Sequence, residues 1–328
     1  MSSSPAAARA LHDDAVVVDA HCDTLMDLAA GRRRLGVRAS TGHADLPRLR
    51  EGGVNVQFFA HYIEPEYKPD RALRRFLELY DVFMAEAAAN ADQIAVVTSW
   101  PELEAALAAG RLAAIISIEG GEALGGSLEV LRAFAWLGVR AVGLTWNERN
   151  DIADGVGAAH TPGGLTHFGR QVVAEMNRLG LLIDVSHLAE PGFWDVLEVS
   201  SRPVIASHSN ARAVCDHVRN LTDDQIRALA ANGGVMGLNF CPPFVHPDRA
   251  DVDRLVDHAL HVLDLVGPDH LGLGSDFDGI YDTPVGLEDA TRFPRLTEAL
   301  LRRGVDEDTV RKILGGNFLR VLREVWGD

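Results

Sequence analysis

The sequence predicts a (β/α)8 barrel, and three observations carry that expectation. Eight short runs rich in Val, Ile, Leu and Ala recur along the chain, helical stretches separate them, and no second alternating series follows. Runs that are apolar at nearly every position belong to strands buried on both faces, as in a parallel sheet. The runner-up, an open doubly wound sheet, lacks the G-x-G-x-x-G turn that would follow the first strand of a dinucleotide fold. A length of 328 residues suits two average domains or one large barrel, and the lack of a second series selects a single barrel over 1–328.

The first strand is read at 16–21, where three valines precede Asp19, Ala20 and His21. The second spans 54–60 and leads into a helix over about 70–90. Ser99 and Glu102 have the spacing of a capping box for the helix before the third strand, 113–119. The fourth strand is 139–145. The fifth, 181–187, follows a helix that carries Phe168, Val172, Met176 and Leu179 on one face and ends at Gly180. The sixth is 203–208, after which Thr222 and Gln225 repeat the capping pattern. The seventh and eighth are 234–240 and 270–276. A last helix runs from about 307 to 314, and Gly315 and Gly316 interrupt it before a second helical piece.

A composition of 47% hydrophobic and 24% charged residues is that of a globular chain with ample material for a core. No long apolar segment occurs, and residues 1–10 have neither a basic start nor an apolar stretch, so no signal peptide or membrane anchor is expected. The net charge of −16 argues against nucleic acid and anionic membranes as partners, and Arg32-Arg33-Arg34 is too short to offset it. Three widely spaced cysteines, Cys22, Cys215 and Cys241, read as free thiols in a reducing compartment and hence as a cytoplasmic protein.

Chemistry gathers at the ends of the runs. His21 and Asp23 end the first, Glu119 the third, His187 the fifth, His208 the sixth and Asp276 the eighth. Barrel active sites lie at the carboxyl ends of the strands, so these six side chains are expected at one mouth. Alone, H-x-D is either a metal pair or a satisfied buried His–Asp pair. Six candidates exceed the needs of one tetrahedral zinc, whereas two zincs about 3.5–4 Å apart need a bridging carboxylate, for which Glu119 is the natural choice. Neither lysine, Lys68 or Lys312, ends a run, which argues against a carboxylated lysine as the bridge. The remaining histidines, His61 and His160 among them, are set aside as surface, loop or core residues.

Taken together, His21-Cys22-Asp23, Ile118-Glu119-Gly120, Asp184-Val185-Ser186-His187, Ser207-His208-Ser209, Arg219-Asn220-Leu221 and Gly274-Ser275-Asp276-Phe277 resemble the membrane (renal) dipeptidase family of zinc peptidases, in family order along nearly the whole chain. The resemblance implies an amidohydrolase-like, metal-dependent barrel hydrolase with two Zn2+ per chain. His21 and Asp23 would hold one ion, His187 and His208 the other, and Glu119 both. Asp276 would take the proton from the bridging hydroxide and deliver it to the leaving amine. Arg219 would hold the substrate's terminal carboxylate; without the family it reads as a surface ion-pair residue ahead of a capped helix.

The implied reaction is hydrolysis of free L,L and L,D dipeptides, and the implied assembly is a homodimer. No secretion signal or lipid anchor like those of the animal enzymes is expected, as in a soluble bacterial-type relative. One departure stands out. Several members have Thr-His-Asn after the fourth strand, with the histidine on the substrate carbonyl, and here Thr145-Trp146-Asn147 occurs. Trp146 then either packs at the rim or limits the substrate's side chains. Two other readings stay open: a deaminase or lactonase on the same barrel, and a non-catalytic metal-binding protein.

Overall fold

The computed structural model describes residues 4–158 and 162–327, so His160 lies outside the described residues. Nine parallel strands form one sheet: β1 Val17–Cys22, β2 Val54–Tyr62, β3 Ile94–Val96, β4 Leu112–Glu119, β5 Val139–Gly143, β6 Leu182–Asp184, β7 Ile205–Ser209, β8 Val235–Leu238 and β9 Leu271–Leu273. Eight of them close the expected barrel. β2 pairs with β4, β4 to β9 follow in chain order, and β9 returns to β1 beside β2. The ninth, β3, was not expected from sequence. It pairs with 112–114 of β4, on the edge that β5 takes over from Ile116. A run of three residues is too short to show a pattern.

Alternation along the strands divides the core in two. Val18, Ala20, Val56, Phe58, Ala113 and Ile115 belong to an inner cluster that fills the barrel. Val17, Phe59, Ala114 and Ile116 belong to an outer cluster with the helices. The last helix, Asn317–Trp326, adds Phe318, Val321, Leu322 and Val325 to the inner cluster. Its partners come from the early residues of the strands, so this helix seals the amino-terminal end of the barrel. Gly272 makes room for it, since a Cβ there would lie 2.4 Å from the Phe318 ring. The mouth at the other end is left for chemistry.

Three local expectations change. Gly315 and Gly316 do not interrupt the last helix; Glu307–Arg311 continues through a π-helical turn, Lys312–Gly316, into Asn317–Trp326. Gly315 lets that turn rest on β1, where a Cβ would lie 2.2 Å from the Val16 carbonyl. Ser99 does not form a capping box, because Glu102 accepts from the backbone N–H (2.7 Å) and hydroxyl (2.8 Å) of Thr98 instead. The box of Thr222 and Gln225 forms with both its bonds. Finally, β6 and β9 stop at Asp184 and Leu273, so His187 and Asp276 stand in the loops beyond them. No helix among the described residues is long and apolar enough to cross a membrane.

Candidate active site

All six strand-end residues meet at the mouth, but only Glu119 gets there by plain alternation, two residues beyond inward-facing Ser117 on β4. His21 follows a shift in the β1–β2 register between Asp19 and Cys22, and His208 lies inside a similar shift between Ala206 and Ser209 on β7. Such irregularities re-aim a side chain that strict alternation would send to the other face. Asp23 does not end the strand, as expected from sequence, but stands at the start of the helix Thr24–Ala29. Its carboxylate makes no capping bond there, because it turns back to the His21 Nε2 at 3.1 Å. His187 and Asp276 adopt left-handed backbone, φ 66° and 63°, which is uncommon outside glycine and clusters at functional sites.

Backbone bonds hold these turns. Asp276 N–H donates to the His21 carbonyl at 3.2 Å and Asp23 N–H to the Phe277 carbonyl at 2.8 Å, which ties the first and last strand ends together. Gly279 completes the fit, as a Cβ there would lie 2.2 Å from Asp23 Oδ2 and 2.7 Å from Asp276 Oδ1.

Glu119 lies between two groups. Its Oε2 faces His21 Nε2 at 3.6 Å, on the Asp23 side. Its Oε1 faces His187 Nε2 at 3.0 Å and His208 Nε2 at 3.6 Å. Asp276 Oδ1 lies 3.9 Å from His21 Nε2, and the His21 and His208 rings stack at 3.8 Å. Three overlapping groups able to hold a cation result: His21–Asp23–Glu119, Glu119–His187–His208 and His21–His208–Asp276.

The imidazoles are set by neighbours that the sequence did not announce. His187 Nδ1 donates to the amide oxygen of Asn147 at 2.8 Å, which leaves Nε2 as a lone pair. The Ser207 hydroxyl donates to Asp184 and so accepts from His208 Nδ1 at 2.8 Å, with the same result. The two Nε2 atoms then face each other at 2.9 Å. Burial and the Arg219 charge push His187 down to about 3, and burial, His21 and Arg219 push His208 well below its usual range. Two neutral nitrogens pointed at one another and at a carboxylate call for a cation between them.

Charge on the other side says the same. Burial raises the Glu119 carboxyl, yet His21 and His187 together hold it well below the usual range. Burial and the Glu119 charge push Asp23 well up, and its Oδ1 is buried with no partner among the described residues. Burial, opposed by His21 and reinforced by Glu119, lifts Asp276 to about 6. Three carboxylates this close and this buried require positive charge among them. The donor set of nitrogen and oxygen atoms fits zinc.

Arg219 is buried in the loop after β7, where its Nη2 donates to the His208 carbonyl at 3.2 Å and its guanidinium lies 5.5 Å from the Phe244 ring centre. Its Nε has no partner, and no carboxylate pairs with it among the described residues. It is therefore not a surface ion-pair residue. Trp146 faces the cluster as well as the rim, with its rings 5.9 Å from His187 and 5.2 Å from Tyr62. His61 points away, buried among Phe76, Tyr80 and Phe83, with Nδ1 donating to the Ser117 carbonyl at 3.0 Å. Asn239 was also not anticipated; its Nδ2 donates to Asp276 Oδ2 at 3.0 Å.

Comparison with known proteins agrees with this geometry. The model of the membrane dipeptidase family, peptidase family M19, matches residues 5–326. The chain is 39% identical over 305 residues to dipeptidase tcpJ of Claviceps purpurea, covering 87% of this chain and 69% of the other. It is 38% identical over 340 residues to dipeptidase 3 of Mus musculus, covering 97% and 66%. It thus spans about two thirds of the length of these curated relatives. A metallopeptidase from Rhodobacter sphaeroides, solved with a phosphinate mimic of the dipeptide L-Ala-D-Ala, superposes with a TM-score of 0.89 at 34% identity, over 95% of this chain and 100% of that one. Matched from residue 5 to 326, the chain belongs to the membrane dipeptidase family, peptidase family M19, and is a metal-dependent dipeptidase.

Proposed function

We propose that the chain hydrolyses free dipeptides, of L,L and L,D configuration, with two zinc ions: one on His21 and Asp23, one on His187 and His208, and Glu119 shared. The observation that carries this reading is the division of Glu119, whose two oxygens face the two groups separately. When bound, the zinc ions supply a water of lowered pKa and polarise the peptide carbonyl.

The chain's own residues do the rest. Asn147 and Ser207 hold the two histidines in the tautomer that binds a cation. Asn239 fixes one oxygen of Asp276, and the other takes a proton from the attacking water and passes it to the leaving amine. The position of Asp276 suits both halves of that transfer, since its Oδ1 lies 3.9 Å from His21 Nε2 at the edge of the cluster. Arg219 holds the substrate's terminal carboxylate. A buried guanidinium with no anion of its own supports that role, because its planar fork is already desolvated for a carboxylate. The clamp reads the carboxylate and not the side chain beside it, which supports cleavage of both configurations; the L-Ala-D-Ala mimic in the Rhodobacter relative points the same way.

A deaminase or lactonase on this barrel would have no use for the clamp. Assays on Ala-Ala, Ala-D-Ala and the carboxy-terminal amide of Ala-Ala separate the readings. The free dipeptides should be cleaved and the amide should lose about a hundredfold in kcat/KM. Equal cleavage of the amide would remove Arg219 from its role, and turnover of lactones or nucleobases alone would replace the reading. We further propose that the barrel acts as one catalytic unit over 1–328 and pairs as a homodimer, which light scattering tests. Its three free cysteines, Cys22, Cys215 and Cys241, support a reducing, cytoplasmic setting.

A further inference from the structure

Lys68 has an unusual setting for one of two lysines in a chain of 328 residues. It stands six residues beyond β2, with its side chain only 11% exposed. Its ammonium lies 3.4 Å from Glu122 Oε1 and 3.1 Å from Glu148 Oε2. It also lies 5.4 Å from the ring centre of Tyr62 and 5.0 Å from that of Trp146. Tyr62 ends β2 directly opposite Glu119, and Trp146 faces His187, so the same two rings border the metal cluster. Lys68, Glu122 and Glu148 line a pocket of about 460 Å3 that no cluster residue lines among those described. The order from the mouth outward is thus cluster, rings, ammonium, pocket.

We propose that Lys68 is a specificity-determining, positioning residue, whose ammonium, clamped by Glu122 and Glu148, pins Tyr62 and Trp146 as the wall beside the scissile bond and so selects compact side chains. The proposal deepens the dipeptidase reading and rests on it. The cation attracts both ring faces at once, and the rings lie 5.2 Å apart, so neither swings aside without losing that contact. Glu148 accepts a hydrogen bond from the ammonium at 3.1 Å, and Glu122 is the buried one of the two anchors. Neither of the Glu122 carboxylate oxygens has a hydrogen-bond partner among the described residues, and the ammonium is the positive charge beside them. Removing the ammonium frees the wall to yield toward the pocket, which gives a bulky substrate side chain room.

Steady-state kinetics of the zinc-loaded parent, Lys68→Met and Lys68→Arg on Ala-Ala and Phe-Ala test this, with metal content and melting temperature measured alongside. The ratio of kcat/KM for Phe-Ala to that for Ala-Ala should rise about fivefold in Lys68→Met, chiefly through a lower KM for Phe-Ala. Lys68→Arg, which keeps a charge over the rings, should hold the parent ratio. Glu148→Gln, at a half-exposed position that tolerates change, should move the ratio the same way by less, and it serves if Lys68→Met does not fold. A ratio unmoved in both Lys68→Met and Glu148→Gln, or moved as far in Lys68→Arg, overturns the assignment of Lys68 while the dipeptidase reading stands. A parent that cleaves neither dipeptide overturns both.

Discussion

Glu119 decides whether the mouth holds one ion or two. Replacing it with glutamine removes a charge and leaves only one oxygen to share, so Glu119→Gln should lose metal and activity together. Elemental analysis of purified protein beside the assay checks this, and a variant with full metal content would leave Glu119 as a bystander. Arg219 and Asp276 should separate in kinetics. Arg219→Met deletes a charge-assisted contact and should raise KM about thirtyfold or more with the metals in place. Asp276→Asn should keep both metals and lower kcat by about a hundredfold to ten-thousandfold, the range of a lost proton carrier. Glu119 and Asp276 were legible in the sequence because each ends an apolar run with a metal-type or acid side chain, whereas Arg219 was legible only through the family resemblance. Asn147, Asn239, Ser207 and Lys68 were not. Asn147, Asn239 and Lys68 act through partners distant in the chain, and Ser207, though next to His208, is oriented by Asp184 23 residues away, so nothing in their neighbours along the sequence reveals these roles.

At the scale of elements, the site depends on departures from regular structure. The register shifts in β1 and β7 turn His21 and His208 inward, and the left-handed turns after β6 and β9 bring in His187 and Asp276. Apolar runs revealed the strands but not these shifts, because alternation is lost just where it is broken. The short β3 and the π-helical turn escaped for a related reason: three residues, or one widened turn, fall below the period that a pattern needs. Gly279 is the element that tests this view. Gly279→Ala would place a Cβ against Asp23 and Asp276, so zinc affinity should fall about tenfold or more while the circular dichroism spectrum stays that of the parent. Unchanged affinity would mean that the loop relaxes freely. Trp146 belongs to the same rim. Trp146→His should widen the side-chain range, seen as a smaller gap in kcat/KM between matched Ala and Phe dipeptides; an equal gap in parent and variant would make it rim packing alone.

Across the whole molecule, one end of the barrel is sealed by the last helix and the other gathers the acid and imidazole groups, so stability and chemistry occupy opposite ends. His61 offers a view of the stable part. Burial lowers it from 6.5 to about 4, so between those values the unfolded chain binds a proton that the folded chain does not. Its contribution is therefore intact above pH 6.5 and is lost as pH falls toward 4, by about 3 kcal/mol in all. Urea unfolding of His61→Leu should show a correspondingly weaker loss of stability over that window than the parent, and identical slopes would contradict a neutral buried His61. The central claim, that two zinc ions share Glu119 in a working dipeptidase, is tested most directly by stripping the protein with a chelator and following Ala-Ala hydrolysis as zinc is returned. Activity should be absent without metal and reach its maximum at two equivalents per chain; full activity at one equivalent, or in the stripped protein, would contradict it.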